Sequence, residues 1–254
     1  MPFELNLAPE TRGELRVYPV EGAMNFGVDA FVTDRSGGVS DPPYDELNLA
    51  WHVGDDVERV DENRRRVARA MDVGVENLVT ARQVHGRRVL DVTGPVPGAE
   101  ADGLVSDAPE LALCVLVADC VPILIVDSAS ARFGVVHAGW RGLVNGVLAS
   151  AVARFAAAGT LHVFLGPSIS PQGYQIGPDV ARQFSRFPTA LTADVGDRFR
   201  LDLRAVAALQ LVVLGVSDEN ISASQQCTDG GAVFFSDRTA RPCGRFALVA
   251  RRES

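Results

Sequence analysis

Three side chains in this 254-residue chain combine metal-ligand chemistry with a setting that brings them to the surface of their segments: His85, Cys120 and His137. His85 lies in Gln83-Val84-His85-Gly86, where Gly86 is expected to let the backbone turn beside the imidazole. Cys120 sits in Ala118-Asp119-Cys120-Val121-Pro122, a polar interruption of the mostly apolar stretch 111–126. His137 ends the apolar run 133–136 and opens Ala138-Gly139-Trp140-Arg141-Gly142. Two imidazoles and a thiolate form a donor set for zinc or copper. A thiolate beside an imidazole is equally a nucleophile with its base. Intervals of 35 and 17 residues lie outside compact zinc-finger patterns, so spacing alone does not bring the three together. A lone buried cysteine, moreover, usually behaves as a small hydrophobe.

The segment after His137 carries a second possibility. Gly139, Gly142 and the N–H groups near Arg141 are candidates for an anion site at a helix start, with the guanidinium of Arg141 reinforcing it. The alternative is a tight glycine turn with Arg141 on the surface. All 24 basic residues are Arg, since the chain contains no Lys. That excludes Schiff-base catalysis, a Walker-type phosphate loop and a Ser-Lys hydrolase, each of which needs an amine. HExxH, GxSxG and GxGxxG motifs are absent as well.

The elements that must position these residues follow from the apolar pattern. Short runs rich in Val, Leu and Ile predict strands at 89–92, 111–117, 121–126, 133–136, 161–165 and 246–249. Helices are predicted over 57–71, 143–158, 178–187 and 202–214, with Asp55-Asp56 capping the first. Several strand connections are too short for a crossover helix, so a mixed sheet in a layered α/β sandwich is expected. No linker or repeat divides the chain, and one domain spanning 1–254 is the expectation.

Composition bounds the partners. With 47% hydrophobic and 22% charged residues the chain reads as globular, and its net charge of −8 argues against a nucleic-acid polymer or an anionic membrane as partner. No apolar run approaches the roughly 20 residues of a membrane helix. The start, Met1-Pro2-Phe3-Glu4-Leu5, lacks a secretory pattern, so a cytoplasmic location with free thiols at Cys114, Cys120, Cys227 and Cys243 is expected.

These segments, taken together, resemble the laccase-domain family, also called polyphenol-oxidase-like or YfiH-like proteins. The resemblance runs through Thr33-Asp34-Arg35-Ser36-Gly37-Gly38-Val39-Ser40, Leu47-Asn48-Leu49, His52-Val53-Gly54-Asp55-Asp56 and Glu62-Asn63-Arg64. It continues through the Gln-Val-His-Gly and Ala-Asp-Cys segments, His137 to Gly142, and Cys227-Thr228. It implies a four-layer α-β-β-α sandwich with two mixed sheets, and zinc held by His85, Cys120 and His137 with a fourth position open. It also implies phosphorolysis of adenosine, inosine, guanosine and methylthioadenosine, with hydrolytic deamination of adenosine. In that reading purine nucleosides and phosphate are the partners, and the chain is a monomer. Arg141 would share the charge of phosphate, and Asn48, Arg35 and Gln83 are candidates for binding the nucleoside. Asp119 is a candidate proton shuttle, or a residue that orients a ligand. His52 is expected to make a structural hydrogen bond.

The sequence departs from the family at Phe235-Ser236-Asp237-Arg238-Thr239, where relatives carry a Tyr and a second Arg, and at Gly166-Pro167-Ser168-Ile169-Ser170. Three other functions compete. Copper-dependent phenol oxidation would need more imidazoles than four histidines supply for a four-copper array, although a single His₂Cys copper site stays open; Met1, Met24 and Met71 lie outside the matching motifs. A metal-free Cys120–His137 hydrolase, of the kind that would edit cell-wall precursors, is the second. A zinc-stabilised binding protein without turnover is the third.

Overall fold

Along the strand Val121–Asp127, the side chains of Val121, Ile123 and Ile125 enter one apolar core and those of Leu124 and Val126 another, so both faces of this strand are buried. The computed structural model describes residues 3–5, 7–231 and 233–253; Met1 and Pro2, on which part of the N-terminal reading rests, lie outside them. Numbered in chain order, one sheet runs β1 (Phe3–Leu5), β15 (Ile221–Ser224), β11 (Leu161–Leu165), β9 (Val121–Asp127), β10 (Phe133–Ala138), β7 (Gly103–Ser106) and β6 (Val89–Asp91). A second runs β2 (Glu10–Arg12), β3 (Leu15–Pro19), β4 (Val28–Thr33), β16 (Phe246–Arg252), β8 (Ala112–Val117) and β5 (Leu78–Val79). A small third sheet joins β12 (Gln175–Ile176), β14 (Phe199–Leu201) and β13 (Leu191–Ala193). Both large sheets are mixed: β9 is antiparallel to β10 and β11 while β6 is parallel to β7, and β16 is antiparallel to β4 and β8 while β5 is parallel to β8.

Side-chain alternation sorts these strands into layers. Leu113, Val115 and Val117 of β8 and Phe246 and Leu248 of β16 meet Leu124, Phe133, Val135 and Phe164 between the sheets. Each large side chain buried there contributes about 1.5–3 kcal/mol relative to exposure. The outer face of the six-stranded sheet, with Phe31, Cys114, Ala247 and Val249, packs against Val67, Ala68 and Met71 at the end of α1 (Val57–Ala70). The outer face of the seven-stranded sheet packs against α2 (Trp140–Asn145), α3 (Val147–Val152), α4 (Pro178–Gln183) and α5 (Leu203–Val213). The order helix, sheet, sheet, helices is the four-layer sandwich expected from the resemblance. No described helix is long and apolar enough to cross a membrane.

Two predicted helices change their bounds, and one cap changes its residue. The helix expected over 143–158 begins at Trp140 and is broken at Gly146, whose φ of 84° ends α2 while its N–H bonds back to Gly142 and Leu143 carbonyls. The helix expected to 187 stops at Gln183, where Phe184 leaves helical geometry at φ −107°, and Pro188 disfavours its resumption at Phe187. Only Asp56 of the acidic pair caps α1, accepting from the N–H groups of Glu58 and Arg59; Asp55 instead accepts from Ser40 and Asn48.

The connection that matters most for the site is three residues long. Ala118-Asp119-Cys120 joins β8 to β9 and so carries the chain from one sheet to the other, turning through Asp119 at φ 86°. The polar interruption seen in the sequence is therefore a crossing between layers, and it delivers Cys120 to the sheet that holds His137.

Candidate metal centre

His85, Cys120 and His137 arrive from three separate elements, and one ligand atom from each lies within 4.8 Å of the others. His137 is buried in β10, opposite Pro122 of β9. Cys120 is half-buried at the crossing, and His85 is exposed in the loop between β5 and β6. The turn beside the imidazole is made by His85 itself, at φ 56°, and not by Gly86 as the sequence suggested. Cys120 Sγ and His85 Nε2 are 3.9 Å apart. Around a tetrahedral zinc with Zn–S of about 2.3 Å and Zn–N of about 2.0–2.1 Å such atoms are about 3.6 Å apart, so this pair is near that spacing and the donor set fits the ion in chemistry.

The surroundings hold this arrangement. Gly139 leaves the room: a Cβ there would lie 2.8 Å from Cys120 Sγ and 3.1 Å from His85 Cδ2. Asp102, fully buried at the start of β7, takes the N–H groups of His85 at 2.9 Å, Gly86 at 2.7 Å and Val84 at 3.4 Å, and faces His137 Nδ1 at 2.9 Å. Burial opposes charge on this carboxylate, but His137 and the backbone donors hold it below the usual range. Burial would also push the Cys120 thiol up, yet the charge and hydrogen bond of His137, with His85 behind them, bring it down to about 6. Burial disfavours charge on His137, and Cys120 followed by Asp102 outweighs it, raising the imidazole to about 9. Without a metal, each group favours the charged form of the other, thiolate and imidazolium, between about pH 6 and 9.

The centre lies on the wall of a cleft of about 1300 Å³. Trp140, Arg141, Tyr174 and Arg238 line it near the centre's elements, and Trp51, His52, Arg64 and Arg245 line it further along the chain's N- and C-terminal segments. The guanidinium of Arg141 stacks on Trp140 at 4.3 Å and, among the described residues, has no carboxylate or hydrogen-bond partner. Arg64 stacks on Trp51 at 4.1 Å and donates to Leu49 and Thr80, while Arg245 pairs with Asp237. Arg238 stacks on Tyr174 at 5.0 Å, and burial raises the Tyr174 phenol.

The remaining candidates are not all brought to this place. Gln83 lines the cleft, but its amide both donates to Leu116 O at 2.7 Å and accepts from Leu116 N at 2.8 Å, clipping the His85 loop to β8. Asp119 lines it too, with one oxygen on Thr228 Oγ1 at 2.6 Å and the other on Arg238 N at 2.7 Å. Asn48 and Arg35 are outside the cleft lining. Asn48 is buried, its amide spent on Ala50, Asp55 and the Arg245 N–H, and Arg35 grips Asp45 and stacks on Phe235. His52 makes no hydrogen bond among the described residues, unlike the structural bond expected of it. Burial first and Arg245 second hold its pKa below the usual value.

Sequence reasoning missed Asp102, Tyr174 and Arg238. Asp102 is 35 residues from His137 and 17 from His85, and its one signal is an acid between Ala101 and Gly103 at the threshold of an apolar strand. Arg238 lies in the 235–239 segment that departs from the family, and Tyr174 carries no signal.

Comparison with known proteins matches this geometry to a family. The model of the family described as multi-copper polyphenol oxidoreductase laccase matches residues 29–253. A relative from Shigella flexneri, named purine nucleoside phosphorylase YfiH, is 38% identical over 87% of this chain and 92% of its own. The solved structure of YlmD from Geobacillus stearothermophilus superposes with a TM-score of 0.91 at 30% identity, over 98% of this chain and 99% of that one. The Bacillus licheniformis protein YfiH gives a TM-score of 0.90 at 28% identity, over 96% and 99%. Among the described residues, His85, Cys120 and His137 make up the one cluster of histidine, cysteine or acidic side chains suited to a metal. The match along nearly the whole chain, in sequence and in fold, makes this protein a member of the laccase-like family that includes the YfiH proteins.

Proposed function

We propose that the chain is a zinc-dependent purine nucleoside phosphorylase, cleaving adenosine, inosine, guanosine and methylthioadenosine with phosphate to free base and sugar 1-phosphate. One observation carries the reading: two imidazoles and a thiolate converge on the wall of a cleft that also holds an unpaired arginine, Arg141. The relatives' name supports the reaction class. Zinc, when bound, supplies a charge clamp and a template for the anionic reactant. Arg141, fixed by its stack on Trp140, adds a second cationic contact for phosphate oxygens without first having to break an ion pair. Trp140 and Tyr174, each with a guanidinium on one ring face, supply the aromatic part of the wall against which a purine would pack. Deamination of adenosine is a proposed side activity, supported by a His/Cys donor set of the kind zinc deaminases use. Asp119 suits it poorly as a proton shuttle, since both its oxygens already accept hydrogen bonds.

The test is a nucleoside panel with and without phosphate, analysed by mass for base, sugar phosphate and deaminated product, on wild type, His85→Ala and Cys120→Ala. Phosphate-dependent base release that both substitutions abolish is expected. A zinc-loaded protein inert toward the whole panel overturns the proposal, and copper found in place of zinc, with an intense thiolate absorption, redirects it to oxidation.

A second reading has its own support. Cys120, His137 and Asp102 also line up as thiolate, imidazole and orienting carboxylate, the order of groups in a cysteine hydrolase. Hydrolysis of an amide that survives removal of zinc and stops on alkylation of Cys120 would establish it.

A further inference from the structure

We infer that Asp102 is the positioning residue of the metal centre, setting both imidazole ligands with one carboxylate; this rests on the metal-centre reading above. Its Oδ1 lies 2.9 Å from His137 Nδ1, so His137 presents Nδ1–H to the carboxylate and its Nε2 lone pair to the centre. The same carboxylate receives the N–H groups of Val84, His85 and Gly86. Those bonds hold His85 in the left-handed region, a conformation a non-glycine residue keeps only when its surroundings enforce it. The main chain adds a fifth tie, His137 N–H to Asp102 O at 2.7 Å, which fixes the carboxylate's own strand against β10. Among the described residues, Asp102 alone accepts hydrogen bonds from both the main chain of the His85 loop and the His137 ring, and it is wholly buried.

Chemistry separates the possible replacements. Asp102→Ala removes the acceptor from four donors. Asp102→Asn keeps the shape but replaces one acceptor oxygen by an NH₂, which faces either His137 Nδ1 and the His85 N–H or the N–H groups of Val84 and Gly86, so two of the four donors lose their acceptor.

The experiment measures zinc affinity by competition with a chromophoric chelator for wild type, Asp102→Ala and Asp102→Asn, alongside thermal melts of the metal-free proteins. Affinity is expected to fall about 10- to 100-fold in both variants, the range for loss of an outer-shell carboxylate. Variants that melt as folded proteins and bind zinc within twofold of wild type overturn the inference. Should either variant fail to fold, nitrogen NMR of the zinc-loaded wild type decides: a hydrogen-bonded Nδ1–H on His137 supports the inference, and a ring ligating through Nδ1 overturns it. Wild type that takes up no zinc at all defeats the metal reading instead, so the two failures are distinguishable.

Discussion

At the scale of single residues, the centre depends as much on what is missing as on what is present. Gly139 has no side chain, and a methyl there would press on Cys120 Sγ at 2.8 Å. Gly139→Ala is therefore expected to weaken zinc binding by about 10-fold or more, read by the same chelator competition, with the fold retained. The metal-free ion pair makes a second prediction. Cys120 is drawn down to about 6 and His137 up to about 9 because each stabilises the other's charge. The thiolate's contribution to stability is present above the unfolded thiol value of 9.0 and is lost as pH falls through about 6. The imidazolium's is present below 6.5 and is lost as pH rises through about 9, so the pair stabilises the fold between about 6 and 9. Alkylation of Cys120 in chelated protein, followed by peptide mass, should keep its rate from pH 9 down to about 7 and fall below about 6. A midpoint near 9, that of an ordinary thiol, would refute the pairing.

At the scale of elements, loops place the ligands and regular structure holds the loops. The His85 loop is anchored to β8 by the reciprocal amide bonds of Gln83 with Leu116, a side chain standing in for a neighbouring strand. Gln83→Leu leaves a partly exposed N–H and C=O unpaired, at a cost of about 1–2 kcal/mol in urea unfolding, and should speed hydrogen exchange at the Leu116 amide. Gly146 gives a contrasting case. Its φ of 84° divides α2 from α3, and open space surrounds it, so Gly146→Ala should cost about 1 kcal/mol from backbone strain alone. Zinc affinity should stay as in wild type, since the break is remote from the donor atoms; a loss of affinity would show that the two helices position Gly139.

At the scale of the whole molecule, the centre sits where the chain passes between its two large sheets. Cys120 follows the crossing from β8, His137 belongs to the seven-stranded sheet, and His85 comes from the loop after β5 of the six-stranded one. An ion shared by the three would join both sheets, so zinc should stabilise the entire fold. Binding to the native state alone contributes about 2.7 kcal/mol at a free concentration 100 times Kd, which a thermal melt resolves. Chelation should lower the melting temperature of wild type and leave Cys120→Ala unchanged. A wild type indifferent to zinc would mean that the three side chains share no ion.

Much of the sandwich was legible because burial of both faces writes itself into sequence: continuous Val, Leu and Ile mark β8, β9, β10 and β16. The short strands β2, β5, β12 and β13 were not, since two or three residues hold no period to read, and β3, β4, β7 and β15 also lie outside the expected runs. Residue types marked His85, Cys120 and His137 as able to ligate, and the order of motifs marked the family. Their convergence, the left-handed turn at His85 and the choice of Asp102 as shared anchor belong to the tertiary structure. Such features arise from contacts between segments 17 to 35 residues apart, and only the stacking of two sheets sets which segments meet. Asn48 and Arg35 illustrate the converse, as polar residues in family segments whose hydrogen bonds the fold spends on the scaffold and not on the cleft.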